Sequence, residues 1–314
     1  MKTLATAIAY LLLTTAVFAQ DLIISEEVLI MNDSIKLPGT LTYNSKLSSQ
    51  PLIIFVQGSG NPDRNGNQLE VQVKANYIKQ LSDSMNVRNI AFFRYDKRNV
   101  TKENIKFLLK KYLFDDLVSD VSAIIEHFKE DSRFSQIILV GHSQGSLVGM
   151  LAANDAIDKY VSLAGLGRTA DRALIDQISA QNKDFGNIAQ EHMEELKTSG
   201  EIKEINPFLM AIFAPANHEF LLSYIQYDPV SEIQKLKIPS LIINGDMDTQ
   251  VTEEDANALH EALPNSTLVI IQKMNHVLKE VSDINENMSS YYSEGFPIST
   301  ELIEVLNNFI TNNE

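Results

Sequence analysis

The chain has 314 residues, 44% of them hydrophobic, enough for one large α/β domain with a substantial core. Its 41 acidic and 26 basic side chains leave a net charge of −15, a field that repels nucleic acid and anionic membrane surfaces and excludes them as default partners. The absence of cysteine excludes disulfides, thiolate metal sites, a cysteine nucleophile and a lipid-modified cysteine.

Residues 1–19 read as a secretory signal peptide. Lys2 gives a positive start, Ala5 to Val17 an apolar region, and Val17-Phe18-Ala19 small residues before a cut after Ala19. The apolar part is short for a membrane-spanning helix, and no basic cluster follows it. The expected mature protein, residues 20–314, is secreted to the periplasm or the cell exterior.

Leu22-Ile23-Ile24, Val28-Leu29-Ile30 and Leu41-Thr42-Tyr43 read as early antiparallel strands, with breaks expected at Asn32-Asp33 and Pro38-Gly39. Leu52 to Val56 is an unalternating apolar run, the pattern of a strand buried on both faces. A long polar loop follows, Gln57-Gly58-Ser59-Gly60-Asn61-Pro62-Asp63-Arg64-Asn65-Gly66-Asn67, and then a helical stretch from about Leu69 to Met85. Gly58 and Gly60 lie between a strand and a helix, but the third glycine of a dinucleotide fingerprint is missing, which argues against nucleotide binding. Ile90 to Phe93 is the next strand, ending in Arg94-Tyr95-Asp96-Lys97-Arg98. From about Asp115 to Lys129 the pattern is an amphipathic helix, with Leu117, Val121, Ile124, Ile125 and Phe128 on one face.

Ile137 to Val140 is short, apolar and β-branched, and from Leu147 the sequence favours helix. Between them stands Gly141-His142-Ser143-Gln144-Gly145, a G-x-S-x-G. A strand-to-helix reversal this tight leaves little room for side chains on either side of the serine, and the turn lifts the serine oxygen above the sheet. The pentapeptide alone is weakly specific; the strand before it and the helix after it sharpen it. Tyr160 to Ala164 is a further strand. From about 168 to 233 no β-rich run occurs, and the polar, helical character with breaks at Pro207, Pro215 and Pro229 reads as an inserted helical lid. Ser240 to Asn244 resumes the alternation, followed by a helix over 253–263, a strand over 267–271 and a last helix over 299–311. This alternation predicts an α/β fold, a mostly parallel central sheet flanked by helices.

In such a sheet reactive groups collect at the carboxyl ends of the strands. A serine hydroxyl needs a histidine to take its proton and a carboxylate to hold that histidine's tautomer. Gly245-Asp246-Met247-Asp248 and Asn275-His276 supply both in loops after later strands, in the order serine, acid, histidine. Ser143 is therefore the expected nucleophile, His276 the base and Asp248 the acid, with Asp246 bracing its loop. The backbone N–H groups of Gln144 and Ser59 are the expected oxyanion donors. His142 reads as structural, its side chain aimed away by the turn. Asp63, Arg64, Arg94 and Asp96 gather near the strand ends and read as charges bracing the loops, with recognition of a polar substrate group as the alternative. No H-E-x-x-H or close His/Asp cluster suggests a metal, and the chemistry requires no cofactor.

These motifs resemble the α/β-hydrolase superfamily. The loop from Gln57 to Asn67 looks like the Gly-Ser-Gly-Pro-x-Asp-Arg-Asp signature of secreted bacterial esterases, a group placed with serine aminopeptidase-like and lysophospholipase-like hydrolases. Tyr95-Asp96-Lys97-Arg98 is similar to that group's Tyr-Asp-Lys-Arg-Gly. The chain departs from the pattern at Asn61, which shifts the proline by one, at Asn65 and at Asn99. The resemblance implies an α/β-hydrolase fold and a serine hydrolase cleaving a small carboxylic ester through an acyl-enzyme on Ser143. An aminopeptidase or amidase with the same triad is the second reading; it needs acidic groups in the lid, for which Glu191, Glu194 and Glu195 are available. A non-catalytic binding protein on the same fold is the third.

Overall fold

The computed structural model describes residues 22–312, so the expected signal peptide lies outside the described residues. Eight strands form the main sheet: β1 (Ile23–Asn32), β2 (Ile35–Asn44), β3 (Gln50–Val56), β4 (Ala91–Tyr95), β5 (Phe134–His142), β6 (Lys159–Leu163), β7 (Ser240–Gly245) and β8 (Thr267–Ile271). Their spatial order is β1-β2-β4-β3-β5-β6-β7-β8. Strand β1 pairs antiparallel with β2, and β2 antiparallel with β4. Every other pairing is parallel.

Both faces of the parallel strands are covered, which is why they read as unbroken apolar runs. Leu52, Ile54 and Leu139 join one core with Phe114, Val121 and Phe128 of the helix Phe114–Phe128 and with Leu147 of the helix Gln144–Ala152. Ile53, Phe55, Ile138 and Val140 join the other with Ile78 and Leu81 of the helix Tyr77–Asn86 and Leu302 and Leu306 of the helix Thr300–Thr311. The alternation of Ile53/Phe55 against Leu52/Ile54 between the two cores follows the period of two along a strand.

Two local expectations fail for identifiable reasons. Pro38-Gly39 does not break the chain but lies inside β2, where Gly39 pairs with Val28 on one side and Tyr95 on the other. The glycine is there for packing: a Cβ would fall 2.4 Å from the Phe93 ring. The stretch from Leu69 to Met85 is helical only from Tyr77 onward. Before it comes a short ribbon, Asn67–Gln68 paired with Val73–Lys74, around a turn of 3₁₀ helix at Leu69–Val71. Gln72 and Asn76 take left-handed backbone angles (φ 60° and 51°), which a continuous helix excludes.

Between β6 and β7 the described chain forms helices joined by loops, with no strand, and Ala170–Gln181 and Lys183–Ser199 are the longest helices. They share a small core of Ala189, Met193, Leu196, Ile202, Leu209 and Phe213. By length and hydropathy Pro207–Ile225 could cross a membrane. Here it is divided into short helical turns, with Ile212, Phe220, Leu221 and Ile225 lining the cavity described below, Leu209 and Phe213 in the small core, and Phe208 exposed.

Candidate active site

The carboxyl ends of β3, β4, β5, β7 and β8 bring the expected residues to one edge of the sheet. Strand β5 ends at His142 and the helix Gln144–Ala152 begins at once, three residues earlier than the propensity signal at Leu147 suggests. Ser143 occupies the single residue between them at φ 55°, ψ −123°, a conformation costing roughly 1–3 kcal/mol for a non-glycine residue. Its N–H is anchored to Leu163 O at 3.0 Å. The flanking glycines make the turn feasible. A Cβ on Gly141 would sit 2.3 Å from Gly145 O, and one on Gly145 would sit 2.2 Å from Val56 O.

Asp248 and His276 meet directly: His276 Nδ1 donates to Asp248 Oδ2 at 2.7 Å, with both residues buried. A carboxylate only accepts, so the proton sits on Nδ1 and Nε2 is the basic nitrogen. The other Asp248 oxygen accepts from the Gln250 and Val251 N–H groups at 2.8 and 2.9 Å, which fixes the carboxylate from behind. Asp246 braces the neighbouring loop by accepting from Lys273 N–H at 2.6 Å.

His142 is structural, as expected, but its ring does not point away from the site. Its Nε2–H donates to His276 O at 2.8 Å, and its Nδ1 accepts from the Tyr77 hydroxyl at 3.3 Å. The two imidazoles lie 4.9 Å apart, centre to centre. Burial, and then the nearby His276, pull the His142 pKa down to about 3, so it is a neutral strut. A second tie runs from Asn275, whose amide donates to Asn287 Oδ1 at 3.0 Å, while Asn287 donates to Met247 O at 2.7 Å. The histidine loop and the acid loop are thereby joined through the helix Ile284–Ser290, which carries no apolar periodicity that would reveal it in sequence.

The loop after β3 closes over the elbow. Gly58 is so near that a Cβ there would stand 3.0 Å from Ser143 Cβ, which puts the Gly58-Ser59 peptide against Ser143. Ser59, Ser143 and Gln144 all line one cavity of about 620 Å³. Of the bracing charges, Arg64 pairs with Asp96 through Nη2 at 2.8 Å and with Glu27 through Nη1 at 2.6 Å, whereas Arg94 donates to the neutral Asn65 side chain at 2.6 Å and Asp63 accepts N–H bonds from its own loop. Asn61 and Asn99, two of the departures from the signature, are partners at 2.6 Å.

Residues 95–98 do more than the sequence reading assigned. Asp96 takes Arg64, and Arg98 makes a two-point pair with the buried Asp120 at 2.7 Å on each oxygen. Lys97 turns into the site, where its ammonium donates to Gly58 O at 2.9 Å and Gly60 O at 3.3 Å.

The far wall of the cavity is apolar and comes from the inserted helices: Ala173, Leu174, Met193, Ile212, Leu221 and Ile225. Among the described lining residues none is Asp or Glu, and Lys97 is the one cation. Of the acids considered for amine binding, Glu191 and Glu194 are exposed and Glu195 half-exposed, and none lines this cavity. No group of three metal-ligating side chains occurs among the described residues.

Comparisons agree with this architecture. The family model for serine aminopeptidase, S33, matches residues 73–202. Esterase EstD of Thermotoga maritima is 26% identical over 248 residues, which is 77% of this chain. The chain spans 58% of that relative's length. Among solved structures, Est1E from Butyrivibrio proteoclasticus superposes with a TM-score of 0.59 at 19% identity, over 91% of this chain and 99% of the other. The Pyrococcus furiosus esterase Pf2001 superposes with a TM-score of 0.60 at 16% identity, over 91% and 90%. With a mostly parallel sheet, a strained serine at the β5 elbow and these structural neighbours, the chain has the α/β-hydrolase fold.

Proposed function

We propose that this protein is a secreted serine hydrolase that cleaves small carboxylic esters with an apolar acyl group. The observation that carries the reading is the buried Asp248–His276 pair, tied to His142, the residue preceding a serine held at φ 55°. In this reading Ser143 Oγ bonds to the ester carbonyl carbon as its proton passes to His276 Nε2. The oxyanion accepts from the Ser59 and Gln144 N–H groups, the latter at a helix N-terminus whose dipole favours negative charge. The carbon–oxygen bond then breaks, and His276 returns the proton to the departing alcohol. Water adds to the acyl-enzyme, giving its proton to His276; the carboxylic acid leaves, and Ser143 recovers the proton.

Ester rather than aminopeptidase chemistry is favoured by the cavity wall. A free α-ammonium group taken out of water is best met by a carboxylate, and the lining offers a lysine, neutral amides and hydroxyls and an apolar far wall but no Asp or Glu. The inserted helices serve as the lid in this reading and set which acyl chains fit.

The test is labelling with a fluorophosphonate probe, then hydrolysis of p-nitrophenyl butyrate beside an aminoacyl-p-nitroanilide. Labelling confined to Ser143, faster ester cleavage, and a loss of about 10⁴-fold or more in Ser143→Ala are expected. An unlabelled wild type sinks the reading; faster anilide cleavage replaces esterase with peptidase.

A further inference from the structure

Lys97 is the one buried cation in the cavity, and no carboxylate is bonded to it. Its Nζ donates to Gly58 O at 2.9 Å and Gly60 O at 3.3 Å, and lies 3.5 Å from Gln144 Oε1. The residue is only 4% exposed. Leaving an ammonium buried with only neutral acceptors is costly, and shape alone would be met by a methionine.

What the contacts share is the oxyanion site. Gly58 C=O and Ser59 N–H belong to one peptide unit, and in a trans peptide the two bonds point in opposite directions. Anchoring the carbonyl on Lys97 therefore aims the Ser59 N–H the other way, towards the side where Ser143 stands against Gly58. A cation on the carbonyl oxygen also polarises the peptide and strengthens its N–H as a donor. The third contact reaches the side chain of Gln144, whose own N–H is the second donor.

We infer that Lys97 is a positioning residue that sets and polarises the oxyanion hole through the Gly58-Ser59 peptide and Gln144. This inference rests on the serine hydrolase reading above. Its positive charge makes the hole fit a developing oxyanion better than a neutral carbonyl, which is the differential binding that raises kcat.

The charge is also conditional. Burial pushes the Lys97 ammonium down to about 8, with the Asp120 carboxylate pulling the other way. Asp120 is itself engaged by Arg98. Tyr112 and Tyr224, which share the cavity wall, are driven upward by burial and stay neutral across this range. Activity is therefore expected to fall as pH rises through about 8, because Lys97 loses its proton.

The experiment compares wild type with Lys97→Met and Lys97→Gln in two assays between pH 6 and 10: the rate of fluorophosphonate labelling, and kcat and KM for p-nitrophenyl butyrate. Removing an oxyanion donor typically costs about 10²–10³-fold. At pH 7 the variants are expected to label and turn over about 10²-fold more slowly, with KM within about threefold and the alkaline decline gone. Variants within about threefold of wild type in kcat overturn the inference, as does a loss seen only in KM. If neither variant folds, wild type decides: a labelling rate that does not fall between pH 7 and 9 overturns it. A wild type that never labels fails the hydrolase reading instead, so the two failures are distinguishable.

Discussion

His142 Nε2 and His276 O are joined at 2.8 Å, so the residue before Ser143 holds the main chain of His276. The bond spans 134 positions of sequence and couples the ends of β5 and β8. It makes the serine–histidine geometry a property of a buried strut rather than of two independent loops. His142→Ala is expected to lower kcat at least tenfold, since small misplacements of reacting groups carry large rate penalties. An unchanged kcat in a folded variant contradicts the strut.

The same residue has a signature in acid. His142 titrates at about 3 in the folded chain, below its unfolded value of 6.5. As pH falls through 6.5 the unfolded state takes up a proton that the folded state refuses, so folding stability drops. The slope from this group approaches about 1.4 kcal/mol per pH unit between those limits. Urea denaturation at pH 7, 6, 5 and 4 is expected to show a steeper acid loss for wild type than for His142→Ala. Parallel curves refute the assignment.

Gly145 abuts the main-chain oxygens of Val56 and Gln57, at 2.2 and 2.6 Å from a built Cβ. Backbone atoms of a central strand cannot move aside as a side chain would. Gly145→Ala is expected to destabilise the fold by about 3 kcal/mol, at the upper end of ordinary overpacking, read from the urea midpoint. A cost below about 1 kcal/mol means the elbow relaxes more easily than its packing implies.

Arg98 and Asp120 form a buried two-point ion pair, with Asp116 adding a third contact at 3.0 Å. Removing one partner strands the other charge. Arg98→Met is expected to cost about 3–5 kcal/mol. The double variant Arg98→Met/Asp120→Leu is expected to recover most of it, because an apolar pair of similar volume carries no stranded charge. A double variant as unstable as the single one refutes that account.

The proposed secretion carries its own test. Protein recovered from the outside of the expressing cell's inner membrane is expected to begin at Gln20, as read by intact-mass analysis. A mature chain that retains Met1 removes the secretion part of the proposal.

Much of the candidate site at this edge of the sheet is local, and local order is legible. The elbow needs only a buried strand, two glycines and a helix start, all within ten residues of Ser143. Asp248 and His276 stand where strands β7 and β8 run out, and strand ends can be read from apolar runs such as Leu241 to Ile243. Asp63, Arg64, Arg94 and Asp96 could be read as braces because charges near strand ends rarely stay unpaired, although their partners could not be named.

What tertiary structure alone decided are the contacts made across the sheet. Gly39 looks like a turn until Phe93 is seen lying over it from the neighbouring strand. Lys97 is one charge in a run of charges until its ammonium is found on the Gly58 carbonyl, 39 positions earlier. Such contacts depend on strand order, with β4 set between β2 and β3, and hydrophobic periodicity says which face is buried without saying which strand lies beside it. The sequence by itself determined that there would be a serine elbow, an acid and a histidine at the ends of buried strands. The packing of distant strands decided which neighbours tune them.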